Sequence, residues 1–232
     1  IVIAAFLLQA LLAVLTLKLD AGQRNIEDMS NGVMAIIGYV GSGIGMIFGN
    51  LYDPSEGAQS FAVEVLPVIV FFASLMAVLY HIGVMQRLIA GLAWVLRGAL
   101  RVTGTEALVV AANVFVGQTE APLCIRPYID RLSRSQLMVL MVGGFATIAG
   151  SVLAGYVGLL GPEFTRHFIA ASVMSAPAAF VVAKIMEPET GTPVDGGLAS
   201  KGEGAEAWGG ERAGNVLDAA AAGTTDGLKL AL

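Results

Sequence analysis

The 232-residue chain is 56% hydrophobic and only 13% charged, with a mean hydropathy of +0.76, whereas soluble domains are about 25% charged; composition alone therefore places it among membrane proteins. A net charge of −5 with no basic block gives nucleic acid no electrostatic footprint. One cysteine, Cys124, excludes a disulfide framework and reads as a small core residue, and two histidines, His81 and His167, are too few for a His-rich metal site.

In chain order, "IVIAAFLLQALLAVLTL" opens the sequence without a basic n-region or a small-residue cleavage site. It reads as a transmembrane helix already entered, and the ends of the chain read as those of a fragment. Residues 18–31 are polar and charged, and 32–51 are uncharged but hold six glycines, so that stretch is expected to be an interfacial or packed helix rather than a free-standing span. "LYDPSEGAQS" carries turn signals at Asp53-Pro54 and Gly57. Residues 61–80 read as a clear span, with Glu64 near one end and Pro67 inside.

Residues 84–101 place Val84, Leu88, Leu92, Val95, Leu96 and Leu100 at helical spacing, interrupted by Arg87, Arg97 and Arg101. This predicts an amphipathic helix, either at the interface with snorkelling arginines or packed on protein with a solvated face. Residues 137–161 form the longest uncharged run and are expected to span, with Ser133 as N-cap, Gln136 at the capping-box position, and Ala146, Gly150, Ala154 and Gly158 as a small-residue packing ridge. Residues 168–183 make a further span with Pro177 inside and Lys184 at its end. Residues 187–214 are Gly-rich and acidic, as in a solvated, mobile linker, and 215–232 resume helical character as the approach to another span.

The stretch 107–125, "ALVVAANVFVGQTEAPLCI", has the hydropathy of one span but not its chemistry. Its apolar part before Gly117 makes only about 15 Å of helix, half a bilayer. Gly117 permits a sharp turn, and Pro122 suits the first turn of a new helix. Glu120 in mid-span would cost about 2.5–3.5 kcal/mol even on the gentler insertion scale. A re-entrant hairpin resolves these conflicts: one short helix over about 104–116, a turn at Gly117-Gln118, and a second short helix from about 119. Non-helical backbone at that depth requires protein or water around it, so the tip implies a cavity. Gln118, Thr119 and Glu120 would furnish donors and acceptors there, beside the N–H groups of the second half-helix. Asn113, one turn before the tip, joins the same cluster. An intramembrane Gln or Thr alone often only bonds a neighbouring helix; the four together read as a ligand or ion site.

These residues carry a resemblance. "AANVFVGQTEAPLCIRPYI" (111–129) resembles the first re-entrant hairpin of the concentrative nucleoside transporters, "GGFATIAGSVLAGY" (143–156) the helix after it, and "VLPVIVFFASLMAVLYHIGVMQ" (65–86) the span and interfacial turn before it. The likeness covers about 60–232 and, more weakly, the N-terminal part. It implies an all-α membrane protein with transmembrane and interfacial helices and a re-entrant helical hairpin over about 104–131. The parts would be an N-terminal scaffold portion (1–60), a transport or gate portion (61–186), the linker (187–214) and a truncated next helix (215–232).

The function it implies is a trimeric symporter of a bacterial inner membrane that imports nucleosides on a sodium gradient, with protons as the second choice. No cofactor beyond the coupling ion, no nucleic acid and no enzyme activity are expected. Gln118 and Glu120 would contact the nucleobase, with Gly117 and Thr119 beside them and Val152 packed against the base. An amide plus a carboxylate can satisfy the mixed donors and acceptors of a uracil-like edge. Sodium would be held by the carbonyls of Asn113, Val116 and Ile148 and the hydroxyl of Thr147, where other members carry Ser; all-oxygen ligation suits a hard cation. Residues for the ribose are expected beyond 232. Two other classes are carried: a membrane enzyme using Glu120 as acid or base, for which no nucleophile, metal cluster or phosphate loop is in view, and a channel or structural membrane subunit.

Overall fold

The computed structural model describes residues 1–49, 63, 66–196 and 213–231. Among these residues every regular element is helical. The turn signals at Asp53-Pro54 and Gly57, and Glu64, lie outside the described residues. The chain divides into two compact units, residues 1–22, 85–149 and 170–211 in the first and 23–84, 150–169 and 212–232 in the second.

The first unit opens with α1 (Val2–Leu17), whose side chains are apolar apart from Gln9 and Thr16. Thr16 donates its hydroxyl to the Leu12 carbonyl at 2.8 Å, so the helix satisfies its own polar group. Phe6 and Leu7 stand more than half exposed, the surface expected where the neighbour is hydrocarbon. Helix α4 (Val84–Leu100) buries Met85, Ile89, Ala93, Leu96 and Leu100. The buried stripe is thus shifted from the expected one: Leu88 and Val95 are exposed with Trp94 on the opposite side. The helix carries apolar residues on both faces, so spacing alone does not choose between them. Arg97 meets Asp195 at 2.7 Å, half exposed, instead of reaching for headgroups.

Arg101 ends α4 in the left-handed region (φ 54°), a conformation costing roughly 1–2 kcal/mol for an L-residue. Thr103 then caps α5 (Gly104–Asn113) in a capping box with Glu106, and every residue of α5 is buried. After a turn comes a 3-10 segment, Ala121–Arg131, kinked at Ile125. Helix α6 (Arg134–Ala146) starts with the expected Ser133–Gln136 capping box.

The run 137–161 is not one helix. It breaks at Thr147–Ala149, and α7 (Gly150–Leu160) begins beyond the break. Ala146 and Gly150 fall on either side, so the expected small-residue ridge is interrupted. Helix α8 (Thr165–Met186) follows a 3-10 turn, Pro162–Phe164. Together, Pro162–Met186 is long and apolar enough to cross a membrane.

In the second unit, α2 is one continuous helix, Asp20–Phe48, and also passes as a span. Its length is about 43 Å at 1.5 Å per residue. The glycines do not interrupt it, because Val40 and Ile44 anchor one face in a core shared with Val68 and Phe72 of α3 (Leu66–His81) and with Ala154 of α7. Gly83, at φ 81°, closes the turn after α3. Helix α9 (Val216–Ala231) packs on α3 through Gly223 and Gly227, where an added Cβ would lie 2.6 Å from Ala77 Cβ and 2.7 Å from Ala73 Cβ. Only such small residues let two backbones approach this closely. Ser74 donates to the Ala220 carbonyl across that contact at 2.9 Å.

Candidate functional site

The hairpin is built from α5, a seven-residue turn and the 3-10 segment, and its first arm is shorter than expected. The helix stops at Asn113 for a definable reason. The partner of the Asn113 carbonyl in a continuing helix would be the N–H of Gly117. That N–H instead donates to Glu120 Oε2 at 2.7 Å. Phe115 and Val116 both donate back to Ala112 O at 2.9 Å, which tightens the last turn. Glu120 and Ala121 in turn donate their N–H groups to the Gly117 carbonyl, at 3.1 and 3.0 Å. Pro122 stands in the first turn of the second arm, as expected, but that arm is 3-10 rather than α and begins at Ala121.

At the tip Gln118, Thr119 and Glu120 are exposed and Gly117 is half-buried, while Asn113 and Val116 are buried. The Glu120 carboxylate is fixed by one oxygen, and Oε1 is not engaged by that bond.

Behind the tip is a second set of oxygens. The Asn113 carbonyl, released from its helical partner, lies 3.0 Å from the Thr147 hydroxyl, which also lies 2.8 Å from the Gly143 carbonyl. One hydroxyl proton serves these two acceptors, and the lone pairs of Thr147 Oγ1 stay available. Asn113 Nδ2 donates to Val109 O at 3.1 Å. That bond orients the amide and leaves Oδ1 buried without a hydrogen-bond partner. A buried acceptor left so costs about 1–3 kcal/mol unless something binds it. Ile148 follows Thr147 in the break between α6 and α7. Asn113, Val116, Gly117, Gln118, Thr119, Glu120 and Thr147 thus belong to the first unit, and Val152, exposed near the start of α7, belongs to the second.

The hairpin's base is held by a polar network of which the sequence reading names only fragments. Lys184 and Glu106 form an ion pair with side chains 4% and 3% exposed. Lys184 also donates to Ser135 Oγ at 2.9 Å. Gln136, read from sequence as a capping residue, donates to Thr103 Oγ1, Thr105 Oγ1 and the Val194 carbonyl at 3.0, 3.2 and 2.7 Å. Its Oε1 accepts from the N–H of Val194 at 3.0 Å. Residues 187–196, expected to be solvated, are fastened here as a strap: Ser133 donates to Glu189, Ser135 to the Glu187 carbonyl, and Gly104 N–H to Asp195. The Thr103-x-x-Glu106 capping signature is the one sequence signal that points at Glu106. The pair Gly143-Gly144 was likewise not singled out, although it lies directly against the tip.

Fold and composition define the class: an all-α membrane protein with a polar helical hairpin. Three consecutive family models cover it, described as Na+ dependent nucleoside transporter N-terminus (residues 1–51), nucleoside recognition (62–163) and Na+ dependent nucleoside transporter C-terminus (167–232). The chain belongs to the concentrative nucleoside transporter family. It is 44% identical to a transporter of Haemophilus influenzae, over all of this chain and 54% of that protein. It is 36% identical to the nucleoside permease NupC of Helicobacter pylori, again over all of this chain and 54% of that protein. The solved structure of CNTnw in an inward-facing substrate-bound state matches 99% of this chain and 55% of its own, at 42% identity and a TM-score of 0.89. The chain spans about half the length of these relatives.

Proposed function

We propose that this chain contributes the nucleobase and cation half of a sodium-coupled nucleoside symporter, working as a homotrimer in a bacterial inner membrane. In this reading the hairpin re-enters the bilayer and turns at mid-depth. Gln118 and Glu120 take the hydrogen-bonding edge of a uridine-like base, with Gly117 and Thr119 beside them. The carboxylate is pre-oriented by the Gly117 N–H, so less rotamer freedom is lost on binding. The scaffold portion is 1–60, the transport or gate portion is 61–186, and the ribose contacts come from a second hairpin outside this chain.

The observation that supports the cation assignment is the Asn113 carbonyl, freed at the helix end, 3.0 Å from the Thr147 hydroxyl. The carbonyls of Asn113, Val116 and Ile148 with Thr147 Oγ1 make an all-oxygen, uncharged donor set. Such a set suits a hard monovalent ion whose charge needs no carboxylate to balance it. Sodium is favoured over protons because none of these donors titrates near neutral pH. The relatives' names support transport over membrane enzymology.

The test is uptake of labelled uridine into proteoliposomes of the intact protein, with and without an inward sodium gradient. Sodium-stimulated uptake that is lost in Glu120→Gln is the expected result. Uptake that ignores sodium and follows a proton gradient would overturn the cation assignment, and wild-type uptake by Glu120→Gln would overturn the base assignment.

A further inference from the structure

We infer that the tandem glycines Gly143 and Gly144 are positioning residues that seat the substrate and cation sides of the site on one turn of α6, an inference that rests on the functional reading above. A Cβ added at Gly144 would lie 2.9 Å from Gln118 Cβ, 3.6 Å from its Cα and 3.8 Å from its Oε1. A Cβ added at Gly143 would lie 3.3 Å from Asn113 Nδ2 and 3.3 Å from Val110 Cγ2.

The two clashes differ in kind. Gln118 Cβ is bonded to the backbone, so no rotamer change relieves a contact there. Carbon atoms rest at about 3.5–4.0 Å, so the tip backbone itself must shift by roughly half an ångström or more. Gly143 presses instead on the end of an amide and on a methyl group, which can yield by a few tenths of an ångström. Gly144 therefore sets where Gln118 stands, and Gly143 sets how the Asn113 amide is held toward Val109. One turn further along, Thr147 closes on the Asn113 carbonyl and on the carbonyl of Gly143 itself. The last turn of α6 thus meets the tip through Gly144 and the Asn113 amide through Gly143, and the Asn113 carbonyl is met by Thr147 just beyond it.

The experiment compares Gly144→Ala, Gly143→Ala, Gln118→Gly and Gly144→Ala/Gln118→Gly in the intact protein, reading the KM for uridine and the sodium concentration for half-maximal uptake. Gly144→Ala is expected to raise the uridine KM about tenfold, the scale on which sub-ångström misplacement of a polar contact is felt, with the sodium requirement little changed. Gly143→Ala is expected to act mainly on the sodium requirement. In the Gln118→Gly background the clashing Cβ is gone, so adding Gly144→Ala is expected to change the KM by less than about twofold, the non-additivity of directly touching residues. A Gly144→Ala protein that fails to fold while the double variant folds also supports the pairing. A wild-type KM in Gly144→Ala, an equal loss in both backgrounds, or misfolding of both variants would overturn it. If the wild type takes up no uridine, the functional reading fails instead. The positional claim is then decided by thiol labelling of Gln118→Cys in a Cys124→Ala background: a labelling rate altered by Gly144→Ala supports it, and an unaltered rate overturns it.

Discussion

The hydroxyl of Thr147 lies 3.0 Å from the carbonyl oxygen of Asn113, thirty-four residues earlier in the chain. This contact joins the broken end of α5 to the break after α6, so two interruptions that would each be costly in a membrane satisfy one another. Removing the hydroxyl takes away a donor to that carbonyl and, under the proposed function, an oxygen of the cation site. Thr147→Ala is expected to raise the sodium concentration for half-maximal uptake about tenfold, equivalent to one lost ligand contact of about 1.4 kcal/mol. Thr147→Ser, which keeps the oxygen, is expected to stay close to wild type. A sodium titration of uridine uptake measures both.

Glu120 holds the turn and presents a carboxylate, and the two tasks separate by substitution. Glu120→Gln keeps an oxygen to accept from the Gly117 N–H. It should fold with a Tm near wild type while uptake collapses. Glu120→Ala loses the acceptor as well and should cost about 1 kcal/mol more, the ordinary worth of a capping side chain. Thermal unfolding in detergent, run beside uptake, distinguishes the two effects.

Lys184→Met leaves the Glu106 carboxylate buried without its cation. Both side chains are almost wholly buried, so the expected loss is about 3–5 kcal/mol. Glu106→Gln/Lys184→Met removes both charges and should recover a large part of it. Thermal unfolding of the two single variants and the double closes the cycle.

Gln136→Ala removes the side chain that bonds both polar groups of the Val194 backbone. Each orphaned group costs about 1–3 kcal/mol where it stays buried, so the strap should detach in preference. The expected result is faster proteolytic cleavage within residues 187–196, with the pattern elsewhere unchanged. Limited proteolysis followed by mass analysis reads this directly.

The hairpin was legible because its chemistry conflicts with its hydropathy: Gly117, Glu120 and Pro122 have no place inside a simple span. Its boundaries were not, because the helix stops where a side chain three residues past Gly117 captures a backbone N–H, and no propensity encodes that. The break at Thr147–Ala149 was hidden for a related reason. "TIA" is as apolar as its neighbours, and the break is stabilised by a carbonyl distant in sequence. Periodicity found α4 but not the face it buries, since Leu88 and Ile89 both fit an apolar stripe. Gln136 was seen only in its local bond to Ser133, because its partner Val194 lies fifty-eight residues away. Composition likewise marked 187–196 as polar without showing that its polar groups have buried partners.

Exposure rises sharply along the hairpin. Residues 104–113 are buried without exception, whereas Gln118, Thr119 and Glu120 are open. Local opening free energies should follow the same slope, near the global value at the base and small at the tip. Amide exchange would then be slowest around Thr105 and Glu106 and fastest around Gln118. A segment clamped at its root and loose at its end responds to an occupant where it is cheapest to move. The tip can therefore shift at little cost to the clamp that carries it.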